Sequence, residues 1–160
     1  MQKVTILCTG KLKEKFYLDA AAEYAKRLGR FCKLEILELP EERLPENPSP
    51  AQIEAALSKE ADAVRAKLPA SCLLIAMCVE GKERSSEELA RYLADSAAQG
   101  ASHIVFLIGS SFGMHASLKQ QADLRLSMSP MTFPHHLLRV MLLEQIYRAY
   151  QINAGSRYHK

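Results

Sequence analysis

The sequence lacks the features that mark several common classes of protein. It has no C-x-x-C pair, no apolar run of about 18 residues that could cross a membrane, and no signal pattern at its N-terminus. Its four cysteines, Cys8, Cys32, Cys72 and Cys78, are scattered, and three of the four lie inside apolar, strand-like runs. These absences predict a cytoplasmic protein whose cysteines are reduced and packed in the core.

Motifs for several kinds of catalysis are also missing. There is no G-x-x-x-x-G-K-[ST] loop, and Gly10 stands alone after the first apolar run, where a dinucleotide-binding fold needs G-x-G-x-x-G. His135 and His136 are adjacent, so on a helix they point in different directions and cannot form a metal-binding pair. No metal is expected. Gly109, Ser111 and Gly113 have the G-x-S-x-G spacing of a nucleophile elbow, which leaves a Ser/His hydrolase as the enzyme alternative.

What is present is a regular alternation of strands and helices. A chain of 160 residues can bury about 70% of its unfolded surface as one domain. Capping signals occur at Ser49 with Pro50 and in the S-x-x-E sequence that starts at Ser85. The sequence therefore predicts a single α/β domain, 1–160, with a mainly parallel sheet and helices on both faces. The predicted strands are 4–8, 34–39, 72–79 and 104–108, and the predicted helices are 13–28, 51–67 and 85–99.

The last third of the chain, from residue 106, is where we expect the chemistry. It reads as a strand, a Gly/Ser turn, a short helix, a second strand, a polar loop, a long helix and a polar tail. The long helix is predicted to begin at Pro134, with Thr132 as a possible N-cap. Its apolar arc is wide, which predicts that one side packs on the sheet and the other on a second subunit.

Arg139 falls near the middle of that apolar arc, where a cation needs an anion. Either it forms an internal ion pair or extends its stem along apolar surface towards water, or it presents its fork of donors to a phosphate or a developing oxyanion. The surrounding C-terminal end is basic, because residues 124–160 hold five Lys or Arg against Glu144 alone. This charge distribution predicts a polyanionic partner, and an ordinary solvated helix end is the alternative.

Three segments follow predicted strands and are therefore candidate ligand sites. In open parallel sheets, ligands bind beyond the carboxyl ends of the strands, which selects residues 77–81, 109–113 and 128–133. Glycines in the first two would let a ligand approach the backbone closely. Taken singly, each segment also reads as an ordinary turn.

Several motifs resemble those of one family. The most specific are MTFPH at 131–135, with the helix residues that follow it, and the terminal G-x-x-Y-H-K at 155–160. FLIGSSFGMH, EGKERSSEELA and KLKEKF extend the match over nearly the whole chain. These motifs resemble the RlmH family of SPOUT-class methyltransferases. The resemblance implies a C-terminal trefoil knot that forms an S-adenosyl-L-methionine pocket, and a homodimer. It also implies methylation of N3 of a pseudouridine in helix 69 of large-subunit ribosomal RNA, on the assembled ribosome.

Site residues are carried over from the family position by position. Arg139 is expected to stabilise negative charge on the substrate, and His135, Tyr158 or His159 to accept or relay the N3 proton. Many relatives have Gly-Gly where this chain has Gly109-Ser110, and another residue at Pro130. A non-catalytic RNA- or ribosome-binding dimer is therefore the alternative function. The family's cofactor positions correspond to Met77, Gly109, Met128, Ser129, Pro130, Met131, Thr132 and Phe133.

The polar tail at 153–160 has two interpretations. It either folds over the site of the partner subunit or onto RNA, or it is a frayed terminus.

Overall fold

Five strands form one parallel sheet in the computed structural model, which describes all 160 residues. The order across the sheet is β2-β1-β4-β3-β5, and every neighbouring pair is parallel. The central strands β1 and β4 are apolar on both faces, whereas edge strand β2 is only half-buried. The predicted parallel sheet is confirmed. The strands are β1 Lys3–Thr9, β2 Lys33–Leu39, β3 Leu73–Glu83, β4 His103–Ile108 and β5 Leu124–Ser127.

Helices cover both faces of this sheet, as predicted. Residues of α1, α3 and α5 pack in one core cluster around Phe106, and residues of α2 and α4 pack in a second cluster around Leu107. Successive side chains of a strand point to opposite faces, so these two neighbours serve different clusters. The helices are α1 Lys15–Leu28, α2 Pro50–Lys67, α3 Ser86–Ala98, α4 Ala116–Gln121 and α5 His135–Asn153.

Capping boxes mark where two of the helices begin, whereas α5 begins without one. Ser49 and Ser85 each form a complete capping box at the start of α2 and α3. The expected start of α5 is wrong by one residue, and Thr132 does not cap it. Pro134 has an extended ψ of 136° and is itself the N-cap, with its carbonyl accepting a hydrogen bond from Leu138 N–H at 2.9 Å. Proline supplies no capping side chain, so α5 begins at His135 without a side-chain cap.

β3 runs four residues beyond its predicted end at Val79 because of Gly81. A Cβ on Gly81 would lie 2.8 Å from the Arg125 carbonyl carbon, so only glycine lets β3 lie this close to β5. The register of the two strands shifts between Met77 and Lys82, which marks a bulge. The intervening residues of β3 are not paired with β5.

The long helix α5 packs between α1 and α3. Leu142, Leu143, Ile146 and Ala149 are completely buried, and residues beside them on the flanks are half-buried. These neighbours explain the wide apolar arc within one chain. The homodimer and the trefoil knot therefore stay predictions.

Candidate active site

A cavity of about 710 Å³ lies at the carboxyl edge of the sheet. Its walls come from the end of β3, the loop after β4 and the loop after β5, so the three segments chosen from the sequence meet in one place. Pro130 is exposed and lies outside this wall, while His135 and Leu138 at the start of α5 close one side. Seven of the eight predicted cofactor residues line the cavity: Met77, Gly109, Met128, Ser129, Met131, Thr132 and Phe133.

The loop at 109–113 is a tight turn that requires glycine at its first position. A Cβ on Gly109 would lie 2.4 Å from the Gly113 carbonyl oxygen. Ser110 and Gly113 exchange two backbone hydrogen bonds, at 3.0 and 2.8 Å, and Gly113 has a φ of +89°. The turn therefore brings its backbone close to the cavity, which residues 109–113 all line.

The loop at 128–133 is held by its own serines. Ser127 Oγ donates to the Ser129 carbonyl at 3.0 Å, and Met131 N–H donates to Ser129 Oγ at 3.0 Å. The Met131 side chain stays largely exposed at the rim of the cavity. These hydrogen bonds within the loop restrict its conformation, which lowers the conformational cost of binding.

His135 lies where the cavity meets the end of β1. A Cβ on Gly10 would sit 3.6 Å from His135 Nε2 and 3.7 Å from Glu41 Oε2, so both side chains face the open side of Gly10. Burial and the neighbouring His136 lower the pKa of His135, and the Glu41 carboxylate partly opposes them. The imidazole is therefore neutral near pH 7, as a proton acceptor must be.

Arg139 forms the internal ion pair that was one of its two interpretations. Its side chain is 3% exposed, and Nη1 donates to Glu38 Oε2 at 2.6 Å. Nη2 donates to the Gly10 carbonyl at 3.2 Å, while Nε has no partner. Glu38 also accepts the Leu12 N–H at 2.9 Å. Arg139 thus ties α5 to the ends of β1 and β2, behind the cavity wall.

The tail packs on its own chain through Tyr158 and His159. Tyr158 Oη donates to Glu144 at 3.1 Å, and the Arg148 guanidinium lies 4.8 Å from the centre of the Tyr158 ring. His159 contacts Glu87 of α3 at 2.6 Å. These contacts lie on the α3 and α5 surface, and neither Tyr158 nor His159 lines the cavity of its own chain.

Three acidic residues of the site escaped sequence reasoning. Glu38, Glu41 and Glu60 hold Arg139 and the loop at 109–113 across long separations in sequence. No spacing rule connects residues so far apart. Residues 124–160 also carry less unpaired positive charge than their composition indicates, because Arg139 and Arg148 are each paired with a glutamate.

Two further findings concern metal ions and membranes. No group of three or more His, Cys, Asp or Glu side chains is arranged to hold a metal ion. None of the helices is both long and apolar enough to cross a membrane.

The fold and the cavity define an α/β protein with a ligand pocket at the carboxyl edge of a parallel sheet, of the size that takes nucleoside-sized molecules. A family model described as "Predicted SPOUT methyltransferase" matches residues 2–159. The chain belongs to the SPOUT methyltransferase family, and within it to the RlmH family that its motifs resemble.

Individual relatives agree with this assignment. The chain is 48% identical over 158 residues to the ribosomal RNA large subunit methyltransferase H of Bifidobacterium adolescentis, with 99% of both chains covered. It is 46% identical to the protein of that name from Streptococcus uberis, again over 99% of both chains. Among solved structures, a probable methylase family protein from Haemophilus influenzae has the same fold. That comparison has a TM-score of 0.51 at 13% identity, and covers 99% of this chain and 70% of the other.

Proposed function

We propose that this chain transfers the methyl group of S-adenosyl-L-methionine to large-subunit ribosomal RNA. The target is N3 of a pseudouridine in helix 69 on the assembled ribosome, and the active form is a cytoplasmic homodimer. The observation that carries the proposal is that seven of the eight cofactor positions given by the family motifs line one cavity. The family and the relatives' printed names support the same reaction.

The cavity fits the methyl donor in size and in chemistry. Its volume of about 710 Å³ lies within the range of small-molecule sites, about 300–1,000 Å³. The turn at Gly109 brings backbone to the wall, where N–H and C=O groups can read an adenine edge or a ribose. Met77, Ile108 and Leu138 supply apolar surface. When bound, S-adenosyl-L-methionine supplies a methyl group already activated on a sulfonium, so no metal is needed for the transfer.

His135 is the residue that we assign to accept the N3 proton. It is the one member of the four proposed catalytic residues that lines the cavity, and its lowered pKa keeps it unprotonated at neutral pH. Arg139 lies one helical turn further along α5, beside the Gly10 carbonyl. Its buried charge, partly offset by Glu38, favours negative charge on the substrate imide from behind the wall.

Tyr158 and His159 are assigned to the partner's site. Their contacts with Glu144 and Glu87 fix the tail on the outer surface of α5 and α3, where a second copy would meet it. In a homodimer each tail would then be presented to the cavity of the other chain. Two basic ends acting together would also provide the phosphate contacts that one small chain lacks.

Complementation between two inactive variants tests this arrangement. Gly109→Ala removes the pocket, and deletion of residues 157–160 removes the tail. Each homodimer should be inactive, whereas heterodimers reassembled from the two contain one intact pocket facing one intact tail and should regain activity. Mixtures that stay inactive, although heterodimers form, would contradict the shared site.

Primer extension on ribosomal RNA tests the target. A methyl group on N3 blocks the base-pairing edge, so reverse transcriptase should stop one nucleotide before the modified position. We expect a stop in helix 69 with ribosomes lacking the modification, and none with naked RNA. A non-catalytic binding dimer would give no stop with either.

A further inference from the structure

Two carboxylates outside the cavity wall bind the turn at 109–113. Glu60 in α2 is 7% exposed and accepts the Ser110 hydroxyl at 2.7 Å through Oε1. Its other oxygen accepts the Glu42 N–H at 2.9 Å. A buried carboxylate is costly unless its oxygens are hydrogen-bonded, and here both are. Glu60 therefore joins the turn to the connection between β2 and α2.

Glu41, on the same connection, binds Ser111, the next residue of the turn. Its Oε1 accepts both the Ser111 N–H at 3.0 Å and the Ser111 hydroxyl at 2.7 Å. The two consecutive serines are thus tied to two different glutamates. Hydrogen bonds to a charged acceptor are about twice as strong as those between neutral groups.

The turn has few other anchors of its own. Gly109 and Gly113 contribute no side chains, and Phe112 is 49% exposed. The two backbone hydrogen bonds between Ser110 and Gly113 close the turn on itself without attaching it to the rest of the molecule. Its position against the cavity therefore depends on what Ser110 and Ser111 bind.

We propose that Glu60 and Glu41 are positioning residues that hold the 109–113 turn, through Ser110 and Ser111, in the shape that binds S-adenosyl-L-methionine. This inference rests on the proposed function. Without the carboxylates the turn samples other positions, and binding must then bear the cost of ordering it. The connection between β2 and α2 becomes a determinant of cofactor affinity although it lies outside the cavity wall.

The test is calorimetric titration of the full-length chain with S-adenosyl-L-methionine. Ser110→Ala removes the bond to Glu60, and Glu41→Ala removes the bonds to Ser111. Each should weaken binding about tenfold, the loss expected for one charge-assisted hydrogen bond. Ser110→Thr keeps the hydroxyl and should restore most of the affinity. Glu46→Ala removes an exposed glutamate from the same connection and serves as the matched control, with wild-type affinity expected.

Kinetics and thermal unfolding separate positioning from a general loss of structure. For Ser110→Ala, a positioning role raises the KM for S-adenosyl-L-methionine with little change in kcat at saturation. Glu41 also faces His135, so Glu41→Ala is judged by its binding affinity and not by kcat. Glu41 is exposed, so Glu41→Ala should leave the unfolding temperature nearly unchanged, which keeps the test valid if Ser110→Ala is unstable.

Two results would count against the inference, and they differ. If the wild type, Ser110→Ala and Glu41→Ala all bind S-adenosyl-L-methionine with equal affinity, the positioning role alone is overturned. Wild-type protein that does not bind S-adenosyl-L-methionine at all would overturn the proposed function, and the positioning role with it.

Discussion

The ion pair between Arg139 and Glu38 predicts unequal effects when each partner is removed. Arg139 is almost fully buried, with a side chain 3% exposed, whereas the Glu38 side chain is 32% exposed. Arg139→Met keeps an apolar stem of similar length and leaves Glu38 free to meet water. Glu38→Gln instead leaves a buried guanidinium without its anion.

The magnitudes follow from what each variant leaves behind. Removing one partner of a fully buried pair costs about 3–5 kcal/mol. The stability lost in Glu38→Gln should be near the lower end of this range, about 3 kcal/mol, because the glutamine oxygen can still accept one hydrogen bond. Arg139→Met should cost about 1 kcal/mol, since the remaining carboxylate is partly hydrated. The double variant should be more stable than Glu38→Gln alone.

Urea unfolding followed by circular dichroism measures these differences. Protein concentration must be fixed, because the stability of a dimer depends on it. Equal losses for the two single variants, or a larger loss for Arg139→Met, would refute the buried ion pair.

Acid unfolding provides an independent check on the same pair. Burial raises the pKa of Glu38, but hydrogen bonds from Arg139 and from Leu12 N–H, with the Arg139 charge, outweigh burial and hold the pKa below its ordinary value. A depressed pKa stabilises the folded state above the unfolded value, about 4.3, and this contribution is lost as pH falls through the folded value. Arg139→Met should therefore lose less stability in acid than the wild type does.

The remaining predictions concern the backbone, the proposed base and the tail. Gly81→Ala should lower the unfolding temperature strongly, because its Cβ would meet the Arg125 backbone at 2.8 Å, whereas Gly100→Ala has nothing within 4 Å and should cost about 1–3 kcal/mol from its φ of +97° alone. Equal effects in thermal unfolding would contradict the close approach of β3 and β5. In a pH profile of kcat/KM, the acid limb should fall below the ordinary histidine value of about 6.5 and disappear in His135→Gln; an unchanged limb would exclude His135 as the base. Tyr158→Phe should weaken methylation while leaving S-adenosyl-L-methionine binding intact, and parallel losses of both in the two assays would contradict a role across the dimer.

Most of the fold can be predicted from local patterns in the sequence. The capping boxes at Ser49 and Ser85 act within four residues, and the alternation of side chains in a strand acts over two, so each is visible in a short window of sequence. The three ligand segments can also be predicted from the sequence, because parallel strands bring their carboxyl ends to one edge of the sheet whatever their order.

The contacts that shape the site could not be found in this way. Arg139 and Glu38 are 101 residues apart, and the partners Glu60 and Ser110 are 50 apart. Composition indicated that Arg139 needs an anion but not which one. Only the arrangement of β1, β2 and α5 around Gly10 selects Glu38 from the many glutamates of the chain.

Gly81 shows how one signal can be misread. A glycine after an apolar run more commonly marks the end of a strand, and the predicted strand stops at Val79. Here it permits β3 to continue past a bulge against β5. The distinction depends on the distance to Arg125 in a neighbouring strand, which no local pattern contains.

Transfer of labelled methyl groups tests the central claim most directly. The chain is incubated with labelled S-adenosyl-L-methionine and ribosomes that lack the modification, and the RNA is digested to nucleosides, with Gly109→Ala as the inactive control. The proposed function predicts label in N3-methylpseudouridine from large-subunit RNA with the wild type only. Label in another nucleoside would contradict the target, and no label in any RNA, under conditions where S-adenosyl-L-methionine binds, would contradict the ribosomal substrate itself.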